Sequence, residues 1–356
     1  MLILLLISIS SIFLFTSCQD ATRHKESFLT SDLKIGGGQM PDVATDNKNN
    51  VHLVYGHDDS IFYVSSDDAG KKFSDPSLIA VEPGLFSSHT RGPQITTGSK
   101  GLTVIACNKS GNIFSYFRSG SGEWLKQTRI NDMDTTAKEG FIALHADGDQ
   151  VFAVWLDMRN KHNEIFGSGS KDGGKTWSSN KMIYASPDTS VCECCKPTVL
   201  IKGTEINVMF RNRFSGYRDM YLIQSKDAGK SFSQAHKLGA GSWPLAGCPM
   251  DGGGMTMKNN NLQTVWRRKN KIYACEPGKP ETAIGEGQGC TIATVNGQTV
   301  YCWTHNGEVV LLKPKGELQV IGKGNSPRIE TVDNNNLLCI YESDKQIYTQ
   351  IISIVE

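Results

Sequence analysis

SSDDAGKKF (residues 65–73), SKDGGKTW (170–177) and SKDAGKSF (225–232) are three copies of one pattern, S-x-D-x-G-x-x-[WF]. Its members are Ser66, Asp68, Gly70 and Phe73; Ser170, Asp172, Gly174 and Trp177; and Ser225, Asp227, Gly229 and Phe232. Such a stretch has the chemistry of a turn. The Asp carboxylate accepts hydrogen bonds from turn amides, Gly supplies a positive φ, and the aromatic tucks between strands to fix the hairpin. FRSGSGEW, ending at Trp124, reads as a decayed copy.

Each copy follows a short strand, and longer β-branched and aromatic runs recur around them: VHLVY from Val51, LTVIAC from Leu102, VFAVWL from Val151, INVMF from Ile206, LQTVW from Leu262, VYCWT from Val300 and LLCIY from Leu337. Their starts lie about 51, 49, 55, 56, 38 and 37 residues apart, within or near the spacing of four-stranded blades. Each unit reads as strand A, turn, strand B, loop, strand C, turn, strand D. The three turns closely resemble the Asp-box, or BNR, repeat of the sialidase superfamily. That resemblance covers essentially the whole mature chain and implies an all-β fold, a β-propeller of four-stranded antiparallel blades. Seven runs favour seven blades, with six as the alternative. The chain ends on QIYTQIIS from Gln346 without a fourth strand, and LKIGG from Leu33 precedes the first unit without a blade of its own. Pairing the two closes the ring and removes both edges.

The 356 residues carry 37 basic and 36 acidic side chains, a net charge of +1, so no electrostatic footprint points to nucleic acid. Residues 1–17, MLILLLISISSIFLFTS, read as an export signal, and FTSC resembles the lipobox of bacterial lipoproteins, with Cys18 as the lipidated residue. The expected organisation is a lipoprotein signal peptide at 1–17, a flexible tether at 18–32 and one sialidase-like propeller at 33–356. The chain is expected to be exported, anchored to a membrane through its N-terminal lipid, and monomeric.

Strand order separates scaffold from function. In a blade, C–D turns emerge on one face of the disc, whereas the starts of A strands and the B–C loops emerge on the other. The Asp boxes are therefore scaffold, and the functional face is built from A-strand starts and B-strand ends. It collects Met40, His89, Arg91, Glu139, Cys192, Cys194, Cys195, Cys248, Met250 and Cys290 from the former, and His57, Asp58, Asp157, Arg211, Tyr217 and Arg267 from the latter.

The sialidase resemblance implies three converging arginines for a sugar carboxylate, a Tyr nucleophile and an Asp acid. Arg91 in RGP resembles the first of those arginines. Arg211 and Arg267 are candidates for the others, Asp58 or Asp157 for the acid, and Tyr217 for the nucleophile. The thiols point elsewhere. Of ten cysteines, Cys107, Cys275, Cys302 and Cys339 sit in apolar strands as small hydrophobes, and Cys192, Cys194, Cys195, Cys248 and Cys290 gather at the mouth. One reading is a disulfide from the CECC segment to Cys248 that staples neighbouring blades. The other is a soft-metal site for Cu or Zn, with Met40, Met250 or His89 in reach. Against it, consecutive Cys194 and Cys195 are expected on opposite sides of a strand.

Three functions follow. The first is an exo-acting glycoside hydrolase of sialidase type on the cell envelope, needing no cofactor. The second is a non-catalytic propeller binding a glycan or an envelope or extracellular protein, stapled by disulfides. The third is a thiol-based metal or redox protein.

Overall fold

A computed structural model describes residues 32–354 except 121 and 127. The signal, the start of the tether and Cys18 lie outside the described residues. The described residues form seven four-stranded antiparallel sheets arranged as a propeller. Blade one comprises Gln39–Thr45, Val51–His57, Ser60–Ser66 and Ser77–Val81; blade two comprises Gln94–Gly98, Gly101–Cys107, Ile113–Arg118 and Leu125–Lys126. Blade three comprises Ile142–Asp147, Gln150–Asp157, Glu164–Ser170 and Lys181–Tyr184; blade four comprises Thr198–Lys202, Glu205–Phe214, Tyr217–Ser225 and His236–Lys237. Blade five comprises Gly253–Lys258, Asn261–Arg268, Lys271–Cys275 and Thr282–Glu286; blade six comprises Gln288–Val295, Gln298–His305, Glu308–Leu312 and Leu318–Lys323. Blade seven takes Asn325–Thr331, Asn336–Ser343 and Gln346–Ser353 from the C-terminal end, and its fourth strand is Leu33–Gly37. Leu33 pairs with Thr349 and Gly37 with Gln346, so the N-terminal strand completes the last blade as the two unmatched edges require.

The core is a ring. The long apolar runs are B strands, buried on both sides, and seven apolar clusters each lie between consecutive blades. Trp155, Trp266 and Trp303 occupy corresponding B-strand positions in blades three, five and six and are the largest fully buried side chains. The outer D strands of blades two and four are only two residues long and carry Lys126 and Lys237, a charged edge that discourages pairing with another chain.

The S-x-D-x-G turns have one geometry. The Ser66, Ser170 and Ser225 hydroxyls donate to Asp68, Asp172 and Asp227 at 2.8, 2.7 and 2.8 Å, and each accepts from its Gly amide at 2.8, 2.8 and 2.9 Å. Each Asp also accepts, at 2.9 Å, the amide of the residue four positions on. The turns latch onto the preceding blade. A Cβ on Gly174, at φ +92°, would stand 2.4 Å from Thr103 Oγ1 of blade two, and one on Gly229 would stand 2.8 Å from Phe152 of blade three. Ser170 is buried, so Ser170→Ala strands the Gly174 amide and is expected to cost about 1–2 kcal/mol. Urea unfolding measures this, and a change under a few tenths would mean that the serine does not hold the turn.

Candidate functional site at the propeller mouth

The CECC segment runs from blade three to the inner strand of blade four. Cys192 N donates to Arg211 O at 3.0 Å and Val191 bridges Asn212, which fixes where the segment enters. Residues 193 and 194 then form a turn. The expected separation of Cys194 and Cys195 on opposite sides of a strand is corrected here, because this segment lies outside the strand. The turn wraps all three sulfurs inward, within 4.8 Å of one another. Cys192 Sγ lies 3.4 Å from Cys195 Sγ and 3.7 Å from Cys194 Sγ, and the three residues are 1%, 2% and 4% exposed.

Cys194 is disulfide-bonded to Cys248, joining the segments that enter blades four and five. Cys248 is exposed, and its Sγ lies 3.7 Å from Met250 Sδ. Arg218 Nη1 donates to Cys192 Sγ at 3.0 Å, and its Nη1 and Nη2 hold the Glu193 carboxylate at 3.1 and 3.2 Å. The bond from Cys195 lowers the pKa of Cys192 below the ordinary thiol range, aided by Arg218 and Arg211 and opposed by burial. Burial, and then Cys192, hold Cys195 well above that range. Of the two, Cys192 is the one favoured to ionise.

The fifth mouth thiol stands apart. Cys290 packs with Val265, Ile292 and Trp303 in the core between blades five and six. Cys107, Cys275, Cys302 and Cys339 are buried as small hydrophobes, Cys302 and Cys339 with their sulfurs 4.0 Å apart.

The candidate sialidase residues are dispersed. Arg91 donates to the Glu139 carbonyl and stacks on Phe141, its guanidinium carbon 4.0 Å from the ring centroid. Arg211 is 2% exposed and donates to the carbonyls of Arg218 and Arg267 at 2.9 and 2.8 Å. Arg267 pairs with Asp251 at 2.9 Å, and Arg211 and Arg267 lie 5.3 and 5.5 Å from the Trp243 ring centroid. Neither shares a side-chain partner with Arg91. Asp157 is fully buried in bonds to Trp155, Thr136 and Arg159, and Asp58 lies at an exposed turn beside His57. Tyr217 pairs with Phe214 across a two-residue turn, Ser215–Gly216, with φ +51° and +79°. Strands B and C of blade four thus continue as a hairpin where a loop was expected, with Tyr217 exposed at its tip.

The mouth itself holds a cleft of about 460 Å³. Gln39, Ser88, His89, Gln288, Asn325 and Glu342 supply much of its polar wall, with Met40 and Met250 at its apolar side. Met40, Thr90, Met250 and Ser326 line it in left-handed conformations, with φ +53°, +66°, +52° and +54°. These kinks turn each chain sharply into its inner strand. Gln39 Nε2 donates to Glu342 Oε1 at 3.1 Å, Met40 N donates to Glu342 Oε2 at 3.0 Å, and Arg267 Nη1 donates to Gln288 Oε1 at 3.0 Å.

Thr90, Gly289 and Arg328 line both this cleft and an axial channel of about 370 Å³. Lys196 in the channel donates to Gln94 Oε1; burial and then Arg328 push its pKa down to about 7, against the pull of Asp42. Burial, with Asp42 adding repulsion, pushes Glu330 up to about 7. Lys196 and Asp251 were missed by the sequence reading. Their signal was position: both sit at A-strand starts, in CECCKP and GCPMDGGG.

No family profile matches the chain. The chain is 25% identical over 239 residues to Pectate lyase 3 of Pectobacterium atrosepticum, across 65% of this chain and 51% of that protein. It thus spans about half the length of the curated relatives it matches. Among solved structures it is similar to the α-L-arabinanase of Penicillium chrysogenum complexed with arabinobiose, at TM-score 0.53 and 11% identity over 92% of this chain and 99% of that one. It is also similar to the α-L-arabinofuranosidase of Fusarium graminearum with arabinobiose, at TM-score 0.52 and 11% identity over 91% and 98%. At these identities the likeness is one of fold.

Proposed function

We propose that the chain is a glycan-binding propeller of the cell envelope, kin to the Asp-box proteins of the sialidase superfamily, with the mouth cleft as its carbohydrate site. The observation that carries this reading is the cleft wall. Sugar hydroxyls are recognised by amide, hydroxyl and carboxylate groups fixed in direction. Glu342 fixes Gln39 and Arg267 fixes Gln288, both facing the cleft. The similar arabinanase and arabinofuranosidase are both complexed with arabinobiose, which supports a sugar as the occupant. The Cys194–Cys248 bond suits a stapled binding face. FTSC supports export and anchoring through Cys18.

Sialoside hydrolysis has less support than binding. Arg91 is engaged by Glu139 and Phe141, away from the Trp243 pair of arginines, and Asp157 is closed off in its own bonds.

Calorimetric titration with arabino-oligosaccharides and sialyl-oligosaccharides tests the reading, alongside assays with the corresponding fluorogenic glycosides. Expected is saturable binding of an oligosaccharide without turnover, weakened about tenfold by Gln288→Ala, the equivalent of about 1.4 kcal/mol. Absence of binding to both classes would remove the proposal, and turnover would replace it with a hydrolase.

A further inference from the structure

We infer that the three sulfurs of the Cys192–Cys195 turn are a binding site for one Cu(I) ion in the thiol-reduced protein. This site is separate from the carbohydrate cleft and does not depend on it. Thiolates about 2.3 Å from a shared ion stand about 3.8 Å apart in a tetrahedral arrangement and about 4.0 Å apart in a trigonal one. Cys192 Sγ is already 3.4 and 3.7 Å from its two neighbours, and all three sulfurs lie within 4.8 Å of one another. Sulfur shifts of at most about 1 Å suffice to seat an ion.

The surroundings suit an anionic cluster. Three thiolates and one monovalent cation carry two net negative charges. Arg218 donates to Cys192 Sγ at 3.0 Å. Arg211 is buried, gives both Nη groups to backbone carbonyls, and has no hydrogen-bond partner at Nε. A buried guanidinium calls for negative charge around it, and a thiolate cluster adds to what Asp251 supplies to Arg211. The three donors are soft thiolates, which suit Cu(I) and, among divalent ions, Zn(II), and three ligands fall short of the four that a structural Zn(II) site takes.

Loading requires the Cys194–Cys248 bond to open. An external dithiol gives two electrons and two protons to this disulfide, becoming a disulfide itself and leaving two protein thiols. Cu(I) then displaces the thiol protons to solvent without a change in its oxidation state. The stapled protein is the unloaded form.

The test uses the full chain, reduced anaerobically with a dithiol, freed of it, and titrated with Cu(I) against a chromophoric Cu(I) chelator. Expected is one Cu(I) retained per chain, lost in Cys192→Ser and in Cys195→Ser and unchanged in Cys302→Ser. Arg218→Gln is expected to weaken retention about 10–100-fold. Because a cluster variant is open to misfolding, mapping of alkylated peptides on wild type supplies a second readout. Bound Cu(I) should protect Cys192, Cys194 and Cys195 from iodoacetamide. No stoichiometric retention by reduced wild type, retention unchanged in folded Cys192→Ser, or Zn(II) held in preference to Cu(I) would each overturn the assignment. Glycan titration of the same variants is expected to be unaffected, so failure of one proposal is distinguishable from failure of the other.

Discussion

Replacing Asp157 by alanine is expected to lower the unfolding free energy by about 2–3 kcal/mol, the cost of removing a buried acceptor and leaving its donors short of a partner. The carboxylate is fully buried. Its Oδ2 accepts from Trp155 Nε1 and Thr136 Oγ1 at 2.8 Å, and from Arg159 Nη2 at 2.9 Å. Its Oδ1 accepts from Arg159 N and Nε at 2.9 Å. Removing it strands the buried Trp155 indole N–H and takes from Arg159 its buried carboxylate, leaving that guanidinium with Asp132 at 2.9 Å, Asn180 at 2.9 Å and the Phe166 ring, 4.2 Å to the centroid. Burial alone raises the carboxyl pKa, but the bonds from Arg159, Trp155 and Thr136 outweigh it and hold the value below the ordinary 3.8.

The sign of the pH effect follows. The stabilisation is fully present above the unfolded value and is lost as pH falls through the depressed folded one, so its decline is confined to pH below about 4. Urea unfolding at neutral pH and at pH 3 measures both effects; a neutral-pH loss under 1 kcal/mol would mean that the knot is dispensable. A carboxyl held ionised in this way is also poorly suited to proton donation in glycoside cleavage.

The second large effect concerns ring closure. A chain beginning at Gly38 lacks Leu33–Gly37 and leaves the last strand, Gln346–Ser353, as an open edge in blade seven. Loss of about four backbone bonds at about 1 kcal/mol each gives an expected destabilisation of about 4 kcal/mol. The exposed edge should also promote self-association. Size-exclusion chromatography and thermal unfolding, against a chain beginning at Asp32, decide the matter. A monomer of unchanged melting temperature would show that the N-terminal strand is ornamental.

Much of the ring was legible in the sequence. B strands buried on both sides read as continuous apolar runs, and turn chemistry at Asp172 or Asp227 is local, so both survive without tertiary knowledge. The two unmatched end segments, LKIGG and QIYTQIIS, also revealed the closure. The mouth was less legible because its outcome depends on partners from other blades. Arg91, Arg211 and Arg267 read as free guanidinium heads, but Glu139, the Arg218 carbonyl and Asp251 already occupy them. Tyr217 was read beyond a strand end, whereas Ser215 and Gly216 make a tight turn that prolongs the hairpin. For CECC, alternation along a strand was the wrong premise, since the turn at Glu193 and Cys194 puts three sulfurs on one side.

The latching of each S-x-D-x-G turn onto the preceding blade sets an order of folding. In blades three and four the latches fall on Thr103 and Phe152, chain already synthesised, so these blades can stack one on another as they emerge. In blade one the partner of Gly70 is Leu338 of blade seven, which is made near the end together with the strand that receives Leu33–Gly37. Stacking is therefore local and fast, whereas closure joins segments separated by almost the whole chain and carries the loop entropy of that separation. An arc of stacked blades with two raw ends is the expected kinetic intermediate, and shutting the ring is its slow step.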